Sequence, residues 1–290
     1  MIRKAVVSGQ FYEGTKEALL KQIEECFRHE KGPGMLPGTQ RKGKILGAIV
    51  PHAGYIYSGP CAAHSYKAIA ESEIPNVYVI LGPSHMGFHK TCFSLDYWET
   101  PLGLVKTNDK LGQIMEDNKL ELIPLPHNEE HSIEVQIPFL QYITQKQISK
   151  LKILPIIVAE TDWEDMIPMI KKSIEEFTAE KKKNVIIIAS SDFTHYGVNY
   201  GYLPFNTNVK ENLHNLDKGA IDRIKKMDSK DFLRYCDTTG ATICGKYPIA
   251  VLIELLKGKS QSAELLQYYA SGDILGDYRN AVGYGSMIFR

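Results

Sequence analysis

The sequence reads as an α/β fold with a largely parallel central sheet and helices on both faces. Two observations predict it. Short continuous apolar runs, the signature of strands buried on both sides, alternate with longer segments of helical spacing. Turn residues follow the apolar runs directly: Pro51-His52-Ala53-Gly54 after the first and Gly82-Pro83-Ser84-His85 after the second.

In chain order, Leu19, Leu20, Ile23 and Phe27 share one face of a helix over 15–28. The Gly- and Pro-rich stretch 32–38 ends it, and a basic surface loop follows through Lys44. Strand 45–50 leads through the first turn into a helix over 59–71, and strand 77–81 leads into the second turn. Residues 92–98 and 103–106 read as shorter strands joined near Pro101. A helix covers 108–117, and another covers 132–143 with a kink or break at Pro138. Strand 153–158 and helix 163–178 form the next pair, then strand 185–189 ends in Ser190-Ser191-Asp192-Phe193-Thr194-His195. Helices over 208–227 and 229–236, a loop over 240–245, a helix opened by Pro248, and strands over 265–270 and 281–289 complete the chain. No repeat or linker divides it, so residues 1–290 read as one α/β domain.

Composition narrows the function classes. Hydrophobic residues at 43% and charged residues at 23% indicate a folded chain, not a disordered one. Lys plus Arg equals Asp plus Glu at 34 each, which gives no support to a nucleic-acid surface. The run Lys181-Lys182-Lys183 reads as a solvated helix end. Met1 to Ser8 is followed by no signal-like apolar stretch, and no run approaches the ~18 apolar residues of a membrane span, so cytoplasmic residence is expected. Five cysteines without a CxxC pair read as free thiols.

The histidines carry the functional signal. Ligands of open α/β sheets bind beyond the carboxyl ends of the parallel strands. His52, His85 and His195 each stand just past such an end, and Asp192 shares the loop of His195. Imidazoles converging on one edge fit metal binding or proton transfer. His131 precedes Ser132, a helix-capping residue type, and either points into the cleft as an acid or base or faces solvent. Cys244 lies just ahead of the Pro248 helix. A helix N-terminus favours the thiolate, the metal-binding and nucleophilic form, and the alternative is a small buried turn residue.

Five segments together resemble the Memo family (MEMO1-like, the B component of AmmeMemoRadiSam systems). They are Pro51 to Gly59, Gly82-Pro83-Ser84-His85, Glu130-His131-Ser132-Ile133-Glu134, Ser190 to His195, and Thr242-Ile243-Cys244-Gly245-Lys246-Tyr247-Pro248-Ile249. They stand in the family order and span nearly the whole chain. Ser8-Gly9-Gln10-Phe11-Tyr12 is similar to a further family element, with Phe11 where the family has tryptophan. The resemblance implies the architecture of class III extradiol non-haem iron dioxygenases. It implies His52, His85 and Cys244 as ligands of a transition metal, with Asp192 and His195 beside them. A thiolate in place of the extradiol carboxylate shifts the choice towards iron or copper, with zinc the alternative. It also implies radical-SAM and AMMECR1-type proteins as partners.

Three functions compete on this basis. One is a metal-dependent redox enzyme in which His195, oriented by Asp192, moves protons, with His131 a further acid or base. Another is an adaptor that takes a peptide or a phosphotyrosine-like anion in the same cleft, which calls for a basic rim from Arg41, Lys42, Lys44 and Lys246. The last is a zinc hydrolase. The substrate, a small molecule or a peptide, is not legible.

Overall fold

The computed structural model describes residues 1–41, 43–180 and 183–290. Lys42, Lys181 and Lys182, which the sequence reading placed on a basic rim and a helix end, lie outside the described residues.

The chain opens with β1 (Ile2–Arg3) and α1 (Lys16–Arg28), whose Leu19, Ile23 and Phe27 are buried at the predicted spacing. The next pair is β2 (Gly47–Val50) and α2 (Tyr55–Ala70), followed by β3 (Val77–Pro83). Helix α2 begins four residues before the predicted start and takes Pro60 inside it. Its first turn is already held, because Tyr55 N–H donates to the Phe11 carbonyl at 2.7 Å and Ser58 Oγ donates to the Ala53 carbonyl at 2.8 Å. The missing proline N–H deprives only the carbonyl four residues back, at exposed Ile56.

The expected strand 92–98 splits into β4 (Cys92–Phe93) and β5 (Tyr97–Thr100), and β6 (Gly103–Thr107) and α3 (Asp109–Asp117) follow. Asn108 caps α3 by accepting from Leu111 N–H. After β7 (Glu121–Leu122), the predicted helix 132–143 is two helices, α4 (His131–Glu134) and α5 (Gln136–Thr144), broken at Val135 and not at Pro138. Pro138 occupies the first turn of α5, where an N–H has no helical partner to lose.

Then come β8 (Lys152–Val158), α6 (Trp163–Ala179), β9 (Val185–Ser190) and β10 (His195–Gly197). The chain ends with α7 (Val209–Lys225), α8 (Ser229–Thr239), α9 (Lys246–Leu256), β11 (Ala263–Ala270), α10 (Gly272–Leu275) and β12 (Asn280–Phe289). Helix α9 starts two residues before Pro248, which again sits harmlessly in the first turn.

The sheet order is β1-β5-β6-β8-β3-β9-β2-β12-β10, with β11 on β12 and β4 between β7 and β8. The middle five strands, β6 to β2, are mutually parallel, and antiparallel strands flank them, so the sheet is mixed around a parallel centre. Alternation along the strands divides the interior. Ile49, Val79, Ile156 and Ile187 face a core with α3, α6, α7, α8 and α9. Ala48, Ile80, Ile153 and Ile188 face another with α1, α2 and α5. Val50 and Ser190 pair at the carboxyl ends of β2 and β9, with β3 ending alongside, and this alignment gathers the loops of the site. No helix of the described residues is long and apolar enough to cross a membrane.

Candidate metal centre

His52 stands two residues beyond β2 and is buried. Its Nδ1 is 3.0 Å from Ser190 Oγ. Ser190 has one hydroxyl proton, and it goes to the Ser132 carbonyl at 2.7 Å, which can only accept. The hydroxyl also accepts from Gln136 Nε2 at 2.8 Å. Ser190 therefore accepts from His52, whose Nδ1 must carry the hydrogen and whose Nε2 keeps its lone pair. His85 is fixed the same way, since Nδ1 is 2.8 Å from the carboxylate Oε1 of Glu130. The His85 backbone N–H donates to the other oxygen, Oε2, at 2.8 Å, and Ser132 N–H donates to Oε1 at 2.9 Å.

His131, the first residue of α4, turns into the cleft. Its ring lies 4.5 Å from that of His85, stacked at 29°, and 5.5 Å from that of His52. One ring nitrogen each from His52, His85 and His131 lie within 4.8 Å of one another, so the three could hold a metal ion. Imidazoles oriented by a carboxylate or hydroxyl through the second nitrogen are a common arrangement for metal ligands, and the donor set fits. Phe11 packs on His131 with ring centres 4.9 Å apart, so an aromatic side chain covers this imidazole.

Charge reinforces the geometry. Burial pushes the pKa of His52 well down, and mutual repulsion with His85, His131 and His195 pushes it further. Burial and the charge of His85 bring His131 to about 4. Burial alone would raise Glu130, but hydrogen bonding to His85, the charge of His85 and the Ser132 N–H outweigh it and bring the carboxyl to about 2.

The remaining expected residues lie close by in different arrangements. Cys244 Sγ is 3.2 Å from His52 Nε2 and accepts from Asp192 N–H at 3.3 Å, but it is not one of the three mutually close donors. The thiolate expected from its place before α9 is not favoured in the metal-free chain. Burial and the Asp192 carboxylate raise its pKa, and they outweigh the Gly245 N–H at the helix start. The expected pairing of Asp192 with His195 is replaced by two other bonds. Asp192 Oδ1 accepts from the backbone N–H groups of His52 at 2.8 Å and Ala53 at 3.3 Å, so it pins the loop of His52. His195 Nδ1 is 3.1 Å from the Thr242 carbonyl, an acceptor only, so His195 also carries its hydrogen on Nδ1 and leaves Nε2 free.

Sequence reasoning missed Glu130, Gln136, Ser190 and Thr242 as supports. A polar Gln136 within the apolar stretch of α5 was the available signal. Thr242 reaches His195 through a single bridge between Thr194 and Ile243, which leaves no pattern.

The described residues of the expected basic rim lie in separate places. Arg41 lies in a groove with Ala70 and Tyr142, Lys44 lies beside Val185 at the start of β9, and Lys246 pairs with Asp237 at 3.1 Å.

Comparison with known proteins agrees with the motifs. Residues 3–288 match the family model described as Memo-like protein. A MEMO1 family protein of Nitrosopumilus maritimus is 40% identical over the full length of both chains. MEMO1 family proteins of Methanopyrus kandleri and Pyrococcus furiosus are each 38% identical, covering 100% of this chain and 99% of theirs.

Proposed function

Since this chain belongs to the Memo-like (MEMO1) family, we propose that it is a metal-dependent redox protein of extradiol-dioxygenase-like architecture that works on a small molecule or peptide in the cleft. The observation that carries the reading is the convergence of His52, His85 and His131, each within 4.8 Å of the others. These three hold the ion, and Cys244, beside His52, supplies a sulfur donor that loses its proton on binding. A nitrogen-rich set with one sulfur suits iron or copper. The bound ion supplies electron transfer and Lewis acidity.

The chain's own residues do the rest. Ser190 and Glu130 orient the ligand rings, and Asp192 holds the loop that delivers His52. His195, with its free Nε2, accepts a proton from the substrate. Radical-SAM and AMMECR1-type proteins are the proposed partners, on the family resemblance alone.

The direct test loads the protein anaerobically with ferrous iron or cuprous copper and follows oxygen consumption with a reductant present. His195→Gln should keep its metal and lose roughly a hundredfold in turnover, the usual size of an acid–base contribution. Loss of the ion in that variant would move His195 into the ligand set and contradict the assignment.

One observation favours a second reading. Three imidazoles are also a donor set of hydrolytic zinc, which activates a bound water. Hydrolysis of a model ester by zinc-loaded protein, independent of oxygen, would favour it.

A further inference from the structure

Asp217, on α7, is fully buried and outside the metal centre. Its Oδ1 accepts from Thr194 N–H at 3.1 Å and its Oδ2 from Tyr268 O–H at 2.6 Å. No Lys, Arg or His among the described residues pairs with it. A carboxylate buried without a cation is expensive for the fold. Burial raises its pKa to about 6, against the Thr194 and Tyr268 hydrogen bonds that lower it.

The last strand is shaped around this group. A Cβ at Gly283 would lie 2.0 Å from Asp217 Oδ2, and one at Gly285 would lie 2.3 Å from the Phe193 ring. The two glycines of Gly283-Tyr284-Gly285 leave room for the carboxylate and for Phe193. Backbone bonds close the seat, since Phe193 N–H donates to the Gly283 carbonyl at 2.8 Å and Gly283 N–H to the Thr194 carbonyl at 3.0 Å. Phe193 and Thr194 are thus clamped by α7, β11 and β12, and the next residue is His195. Its N–H donates to Thr242 Oγ1 at 2.9 Å and its ring to the Thr242 carbonyl.

We propose that Asp217 is the positioning residue for His195: through Thr194 it fixes the turn that holds the imidazole against the Thr242 carbonyl and keeps Nε2 free. The inference rests on the reading of His195 as the group that moves the proton. Asp217 touches neither the ion's ligands nor the cleft. Its action is on the side chain of the residue next to the one it holds.

The test is nitrogen-15 NMR of the histidine side chains in the full chain, with the His195 signals identified by their loss in His195→Gln. Wild type should show His195 as a single Nδ1–H tautomer. Asp217→Ala should convert it to an exchanging mixture of both tautomers, with His52 and His85 signals and metal stoichiometry unchanged. Asp217→Asn keeps an oxygen facing Thr194 and should restore the wild-type signals. If Asp217→Ala does not fold, Gly283→Ala, which drives a methyl group against the carboxylate, gives the same readout. An unchanged His195 tautomer in Asp217→Ala, or in Gly283→Ala where Asp217→Ala does not fold, would overturn the proposal. So would a disturbance that spreads equally to His52 and His85, the mark of a merely structural role. Failure of the functional reading is a separate result: full turnover in His195→Gln would remove the proton-transfer role while leaving the link from Asp217 to His195 intact.

Discussion

Glu130 and Glu134 lie four residues apart in one motif, both fully buried, and they do opposite work. Glu134 faces a cation. It pairs with Arg3, accepts from Tyr12 O–H at 2.5 Å, and takes the N–H groups of Val6 at 3.0 Å and Val7 at 3.1 Å. Arg3 also donates to the carbonyls of His127 and Glu130 and lies over the Trp98 ring. This carboxylate ties the N-terminal segment, and with it Phe11, to α4. Glu130 faces the His85 imidazole instead and leaves that ring's other nitrogen available. A buried carboxylate with a permanent cation is architecture, whereas one with a titratable partner can orient chemistry.

The largest effect should come from breaking the architectural pair. Arg3→Met leaves Glu134 charged and buried without its partner, which costs about 3–5 kcal/mol. Urea unfolding should show this loss. A midpoint equal to wild type would place the anchor elsewhere.

Next is a pH effect on the same side of the comparison. Burial lowers His127, whose carbonyl receives Arg3, from an ordinary 6.5 to about 4. Between these values the unfolded chain binds a proton that the folded chain does not, so stability falls as pH drops through that window and is flat outside it. The full change is about 3 kcal/mol. Asp217 has the opposite sign, since its raised pKa adds stability as pH falls from about 6 towards 3.8. The prediction therefore concerns the difference between wild type and His127→Gln. Unfolding at pH 7.5 and pH 4.5 should show wild type losing more stability than the variant, and parallel losses would contradict the assignment.

Glu130→Gln should act on the metal more than on the fold. Its loss unfixes the His85 ring, and metal affinity should drop by about 10- to 100-fold. Competition with a chromogenic chelator measures this, and an unchanged affinity would make Glu130 mere packing. The smallest effect is expected for Cys244→Ser. It should leave the stoichiometry at one ion and weaken affinity by less than about tenfold, while removing the thiolate-to-metal absorption of the copper(II) form. Retention of that band would exclude the sulfur.

The sequence exposes these two sites unequally. The parallel strands are legible because β2, β3, β8 and β9 are apolar on both faces, and His52 and His85 are legible because they directly follow two such strands. Helix boundaries shift where prolines stand. Pro138 and Pro248 fall in first turns, and Pro60 costs one hydrogen bond on an exposed residue. His131 and its two glutamates stay ambiguous because their roles are set by Arg3, which is 131 residues from Glu134, and by His85, 45 residues from Glu130. Spacing carries no information about contacts of that range.

The central claim is that His52, His85 and His131 hold one ion. It is tested most directly by anaerobic reconstitution and elemental analysis of wild type, His52→Ala/His85→Ala and His131→Ala, after circular dichroism has shown each to be folded. One equivalent is expected in wild type, none in the double variant and a fraction in His131→Ala under limiting metal. Equal metal in wild type and the double variant would contradict it.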